Sequence, residues 1–263
     1  MTFREFLNER NFKISESKSG GKIIPKDKDE LKELVEDKNI HLGDIEIPKH
    51  ITDFSNLFTD SQRKDFSGIE KWNVSHITDM NYMFSGAEYF TGKGIERWNV
   101  SNVTDMSGMF HEARNFNADI SKWNVRKVKD MSQMFQGAYN FNQPIGKWNV
   151  SNVTDMSGMF MGARKFNQPL NDWNVSKVTN MWGMFNGAIN FNQPLNDWNV
   201  SKVTMMSEMF YKAQNFNQPL DKWDVSKVKY IGAMFYRTKI SMDDFSKWGW
   251  NIDSEKKRRL GIY

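Results

Sequence analysis

The chain has 263 residues, 39% hydrophobic and 14% aromatic, with a formal net charge of +4 and no cysteine. That much apolar material excludes global disorder, and the absence of thiols excludes a disulfide framework and thiolate metal sites. The small, dispersed positive charge gives no argument for nucleic acid, and no stretch approaches the roughly 18 apolar residues of a membrane-crossing helix.

The opening MTFREFLNERNFKISESKSGGK holds no apolar run of signal-peptide length and no cleavage-like site, so from its residues the chain is expected to be soluble and, as written, cytoplasmic. Ser17–Gly21 reads as a flexible link. PKDKDELKELVEDK, from Pro25 to Lys38, predicts a helix: Pro stands early, acids fill the first turns, and Leu31, Leu34 and Val35 share one face. Residues 1–44 are therefore expected to be an N-terminal segment with a helical cap.

The centre of the chain repeats. Trp72, Trp98, Trp123, Trp148, Trp173, Trp198 and Trp223 are separated by 26 residues once and then by 25. Each is followed by W-N-V-S-x-V-T-x-M-x-x-M-F-x-x-A-x-x-F-N-Q-P-L or a close variant. A worn unit upstream keeps the spacing at Ile51, Phe54, Leu57 and Phe58, which makes about eight coils over residues 45–238. A fixed period of this kind predicts a quasi-linear stack in which each unit buries its apolar stripe against its neighbours. Each large side chain buried contributes roughly 1.5–3 kcal/mol.

Within a unit, Trp-x-Val alternates as a short strand does, and Val-Thr-x-Met suits a second. Met109, Phe110, Ala113 and Phe116 then fall on one helical face, with Ser107, Ser132, Ser157 and Ser207 as N-caps. Asn-Gln-Pro ends the unit and turns the chain. A single helix of about four turns through Val103, Met106, Met109, Phe110, Ala113 and Phe116 fits as well; internal Thr, Ser and Gly weaken it, and the strand-containing coil is preferred. The C-terminal SMDDFSKWGWNIDSEKKRRLGIY predicts two short helices, from Ser241 and from about Asp253, and residues 239–263 read as a C-terminal helical cap. Its basic run Lys256–Arg259 reads as a solvated helix face.

WNVSNVTDMSGMFMGARKFNQPL, from Trp148 to Leu170, resembles the 25-residue repeat of BspA-like leucine-rich-repeat surface proteins of bacteria. The resemblance covers about residues 45–238. It implies a right-handed LRR-like solenoid, an α/β repeat fold with short strands on one face and short helices on the other. It also implies a binding protein at the cell surface or secreted, with host-protein adhesion proposed for some members.

Chemistry is sparse. His41, His50, His76 and His111 share no metal-ligand spacing, and no Gly-rich phosphate loop, nucleophile elbow or H-E-x-x-H is present. No catalytic residue, cofactor or metal is expected. The column Asp79, Asp105, Asp130 and Asp155 is read as capping the following turn, and Asn117, Asn142, Asn167, Asn192 and Asn217 as hydrogen-bonding turn backbone. The tryptophans are read as core. N-V-S at Asn73, Asn99, Asn149, Asn174 and Asn199 matches the glycosylation acceptor pattern. Repetition by itself produces that match, and burial in packed coils would forbid a glycan. Residues at positions that vary between units remain for binding: Lys177, Lys202 and Lys227, with Trp182, Met205, Tyr211, Tyr230 and Tyr236. Lysines beside exposed aromatics suit an acidic partner. The expected function is a non-catalytic, adhesin-type protein-binding scaffold; the alternatives are a carbohydrate- or cell-wall-binding module and an intracellular interaction protein. A monomer is expected, because capped ends argue against end-to-end stacking.

Overall fold

A computed structural model describes residues 14–15 and 21–262. Of the link expected at Ser17–Gly21, all but Gly21 lies outside the described residues. From Asp53 onward the chain returns to the same place every 25 or 26 residues. Parallel bridges mark each return: Asp53 pairs with Asp79, Asp79 with Asp105, Asp105 with Asp130, and so on through Asp155, Asn180 and Met205 to Tyr230.

The eight residues that start at each bridge make the backbone ladder. Every second N–H leaves the coil. Met80 donates to the Asp105 carbonyl at 3.0 Å, Tyr82 to Ser107 at 2.8 Å, Phe84 to Met109 at 2.9 Å and Gly86 to His111 at 2.7 Å. The intervening N–H groups stay inside it and close three-residue turns: Met83 to the Met80 carbonyl, Ser85 to Tyr82 and Ala87 to Phe84. The pattern recurs down the stack as far as Lys212 donating to Tyr236 at 2.7 Å. A backbone that exports half of its donors needs a neighbour above it, because a buried unpaired N–H is expensive.

No helix forms on this stretch, where the spacing of Met109, Phe110, Ala113 and Phe116 suggested one; apart from one 3-10 turn at Ile69–Lys71, the coils contain turns and single bridges in place of regular strands and helices. The cause is visible in the dihedral angles. The fourth and eighth residues of each ladder segment have positive φ, as at Gln133 (57°) and Gly137 (68°), or Glu208 (59°) and Lys212 (57°). A left-handed residue every four positions stops a right-handed helix. Ser107 accordingly is no N-cap: its N–H and hydroxyl both donate to Asp105 Oδ1, at 2.8 and 2.6 Å.

Three aromatic columns form the core. The indoles are buried and lie in line: Trp173 and Trp198 are 6.4 Å apart with planes 2° from parallel, and Trp198 and Trp223 repeat that geometry. Each indole N–H reaches the carbonyl of an Ile or Leu in the preceding coil, as Trp173 does to Ile145 at 3.2 Å and Trp198 to Leu170 at 2.9 Å. The two phenylalanines of a coil stack face to face, 3.7 Å apart for Phe110 and Phe116 and 3.9 Å for Phe210 and Phe216. Each also stacks on its counterparts above and below, for example Phe185 on Phe210 at 5.6 Å. Met, Val and Ala fill the space between them.

The ends differ from the coils. A two-residue strand β1 (Ile14–Ser15) pairs antiparallel with β2 (Lys22–Ile23). Helix α1 (Lys28–Glu36), capped by Asp27, takes the place of the missing first ladder segment and buries Leu31, Leu34 and Val35. It is held by Arg63, which is 4% exposed. The Arg63 guanidinium donates to the carbonyls of Val35, Asp37 and Ile40 where α1 ends, at 3.0, 2.6 and 3.1 Å. Nothing in the repeat pattern marks this residue. At the other end lie α2 (Met242–Ser246), with a capping box from Ser241 and Asp244, and α3 (Ser254–Arg259), capped by Asp253. The last ladder donors end on this segment, Ala233 on the Arg259 carbonyl and Phe235 on Leu260. Trp250 extends the indole line past its repeat, 6.4 Å from Trp223, and donates to the Leu220 carbonyl. In the basic run, Lys257, Arg258 and Arg259 are exposed, while Lys256 reaches the Val228 carbonyl at 2.9 Å.

Two expectations follow. Excising residues 155–179 joins Thr154 to Asn180 in register, so the shortened chain should still unfold in one cooperative transition, at a lower midpoint, by circular dichroism. Arg63→Met leaves the Asp37 carbonyl with the Ile40 N–H but takes the guanidinium donors from those of Val35 and Ile40; it should cost about 3 kcal/mol in urea unfolding, with α1 released first by hydrogen exchange.

Candidate functional site

The ladder turns one side to the core and the other to solvent. The solvent side is where the coils differ while the packing stays the same. Its first column is the bridge column. In the N-terminal half this is Asp79, Asp105, Asp130 and Asp155, whose Oδ1 atoms accept the N–H two residues on, at 2.8 to 2.9 Å. These carboxylates cap the turn that follows. Burial, and then repulsion from Asp105 and Asp53, push the Asp79 carboxyl above its ordinary value against the bond from Asn81. Asp53 at the end of the row goes the other way: hydrogen bonds from Lys28 and Ser55 outweigh its burial and lower it.

In the C-terminal half the same column becomes Asn180, Met205 and Tyr230. Asn180 keeps the turn bond, accepting from Trp182 at 3.1 Å, and donates to Asp155 Oδ2 at 3.0 Å. Past it the capping role is filled differently: the Gly232 N–H goes to Ser207 Oγ of the preceding coil. Tyr230 is 59% exposed; Met205, on the coil before it, and Trp182, one coil further back, are half-buried.

Tyr211 and Tyr236 lie further along the ladder and stack on each other at 5.0 Å. Lys212 sits 4.9 Å from the Tyr211 ring and Arg237 5.3 Å from that of Tyr236, within cation–π reach. Tyr139 is flanked in the same way by Arg114 and Arg164, at 5.2 and 4.8 Å. These cations are absent from the set chosen by sequence. The 25-residue spacing of Arg114, Tyr139 and Arg164 carried the signal.

Lys177, Lys202 and Lys227 stand in one exposed column, three residues before the bridge, at the corner where the chain enters the ladder. Lys177 Nζ donates to Asn152 Oδ1 at 2.7 Å, and Lys127 does the same to Asn102 at 2.6 Å. The structure thus puts the predicted residues on consecutive coils, in four columns: the lysines at the corner, Met205 and Tyr230 in the bridge column, Trp182 two residues past it, and Tyr211 with Tyr236 at the ladder's end.

The asparagine column after the last Phe is a turn ladder. Asn117 Oδ1 accepts the Asn142 N–H at 3.0 Å, Asn142 accepts from Asn167 at 3.0 Å, and Asn167 from Asn192 at 2.9 Å. The N-V-S asparagines are exposed, outside the packed interior, and Asn73, Asn149 and Asn199 each accept the Ser hydroxyl two residues on at 2.7 Å. The four histidines stay apart on local bonds, such as His50 to the Lys26 carbonyl and His111 to Ser85. Among the described residues no cluster of His, Asp and Glu is arranged to hold a metal ion, and no helix is long and apolar enough to cross a membrane.

The raised Asp79 carboxyl makes a signed prediction. The unfolded chain ionises first, so this residue's contribution to stability falls as pH rises from the usual carboxylate range through the folded value. Asp79→Asn keeps the acceptor for Asn81, as Asn180 does naturally. It should therefore raise the thermal midpoint slightly at neutral pH, and the difference should vanish in acid.

No curated protein and no solved structure matches the chain. A family model matches it twice in overlapping tandem, over residues 52–164 and 143–248, which together take in nearly the whole run of coils. The chain belongs to the repeat family described as "Mycoplasma protein of unknown function, DUF285".

Proposed function

We propose that this chain is a right-handed LRR-like solenoid acting as a non-catalytic recognition scaffold, of the adhesin type, for a protein partner at the cell surface, as in BspA-like surface proteins. The observation that carries the reading is the change along the bridge column from Asp79, Asp105, Asp130 and Asp155 to Met205 and an exposed Tyr230, while the core columns beneath stay constant. Packing does not call for that change, and an aromatic left in solvent costs stability that binding can recover. The corner lysines Lys177, Lys202 and Lys227 add positive charge beside it, which favours an acidic partner surface. The column layout supports the non-catalytic reading, since it spreads like groups along a line while a reaction centre needs unlike groups at one point.

Affinity capture with the immobilised chain, read by mass spectrometry, tests this. A specific protein should be retained from host extracts by the wild type. Retention should fall at least about tenfold with Trp182→Ala plus Tyr230→Ala, and less with Lys177→Glu plus Lys202→Glu. Equal capture by all three forms would remove this surface from the function. The carbohydrate-binding alternative draws on the hollow of about 930 Å³ beside exposed Tyr89, and a glycan array addresses it directly.

A further inference from the structure

The outward side of the ladder is divided by charge. Its N-terminal half carries Asp79, Glu88, Asp105, Glu112, Asp130 and Asp155, with two countercharges, Arg114 paired to Glu112 at 3.2 Å and Lys64 over the Tyr89 ring at 5.3 Å. Its C-terminal half carries Arg164, Lys165, Lys212, Arg237 and Lys239, with Glu208 as the opposing acid, held by Asn186 at 2.9 Å. The aromatic and sulfur-bearing side chains Trp182, Met205, Tyr211, Tyr230 and Tyr236 belong to the basic half. The four aspartates also cap turns, but the ladder's backbone bonds between coils do not call for Glu88, Glu112, Arg164, Lys165, Lys212, Arg237 or Lys239.

A surface negative at one end and positive at the other is complementary to its own image turned end for end. Two such faces laid together with their stacks antiparallel bring the acidic half of each onto the basic, aromatic half of the other. With the two-fold axis running along the coil direction, like columns meet. Glu112 and Lys212 hold the same place in their coils, as do Glu88 and Lys239. The area suffices. Eight coils at about 4.8 Å per strand spacing give a strip roughly 38 Å long. At roughly 20 Å wide it covers about 800 Å² per copy, the size of a standard stable interface. Among the described residues the ends of the stack are covered by α1 and by α2 with α3, which leaves self-association to the side faces, of which this one is divided by charge.

We infer that a second copy of this chain is the partner that fits this face, giving an antiparallel two-fold dimer held by charge complementarity, with the aromatic patch of each copy covered by the acidic half of the other. The inference rests on reading the ladder face as a recognition surface, and it names one occupant of it.

The full chain, followed by sedimentation equilibrium from about 1 to about 200 µM, tests it at about 0.05 and 0.5 M salt. Dimer mass is expected at low salt, with weakening at high salt as the exposed charges are screened. Lys212→Glu with Lys239→Glu should weaken self-association about 100-fold, as should Glu88→Lys with Glu112→Lys. Mixing the two variants should restore dimer mass. All four residues are at the surface, and circular dichroism confirms that each variant is folded. A wild type that stays monomeric at the highest concentration in low salt overturns the inference. So does a dimer indifferent to both charge reversals. Monomer throughout, with capture of a foreign protein still abolished by Trp182→Ala plus Tyr230→Ala, removes the dimer and leaves the scaffold standing. A dimer with no foreign capture does the opposite.

Discussion

Everything in this molecule depends on where alternate backbone N–H groups point. In an α-helix each donor finds its acceptor four residues back, and the segment can exist by itself. Here Met80, Tyr82, Phe84 and Gly86 send their protons to the next coil, and the groups between them close short turns at home. One coil is therefore half-satisfied, and only a stack is complete. The near-identity of successive units follows: each must offer carbonyls at the heights where the previous coil presents its N–H groups, and rings at the heights where its rings lie flat.

The aromatic columns and the ladder support one another. Trp indoles stack in line, and each also donates to a carbonyl of the coil before it. The indole N–H thus finds a buried acceptor while its ring fills volume, on a carbonyl that also accepts a turn N–H, as Leu170 does from Trp173 at 3.0 Å. Arg63 acts once, at α1, where a helix end meets the first coil, and donates to the carbonyls of Val35, Asp37 and Ile40. Repetition handles the interior, and single polar residues handle the boundaries.

The core was legible from sequence because apolar identity repeats at a fixed step. Val, Met, Phe and Trp columns can be read without knowing the path of the chain between them. The local conformation was not legible. Met109, Phe110, Ala113 and Phe116 have helical spacing, yet turns with a left-handed residue every fourth position place the same side chains inward. The clue lay in the outward residues, where Gly108, Gly137, Gly158, Gly162, Gly183 and Gly187 occupy those positions. Trp250 escaped notice because it follows Trp223 by 27 residues, out of step with the repeat, and Arg63 because it occurs once. The candidate binding residues were found as departures from the repeat. Their grouping into columns along the ladder needed the coil geometry, and the cations over Tyr139, Tyr211 and Tyr236 were visible only once that geometry was known.

The left-handed columns also limit how such a surface can diversify. Nine of those sixteen ladder positions carry something other than glycine: Asn56, Asp60, Tyr82, Glu112, Gln133, Glu208, Lys212, Ala233 and Arg237. None is valine, isoleucine or threonine, the residues whose branched Cβ is least compatible with positive φ. Lineages of this architecture are thus free to vary charge, length and aromaticity across the face, but β-branched side chains are filtered out along two of its tracks.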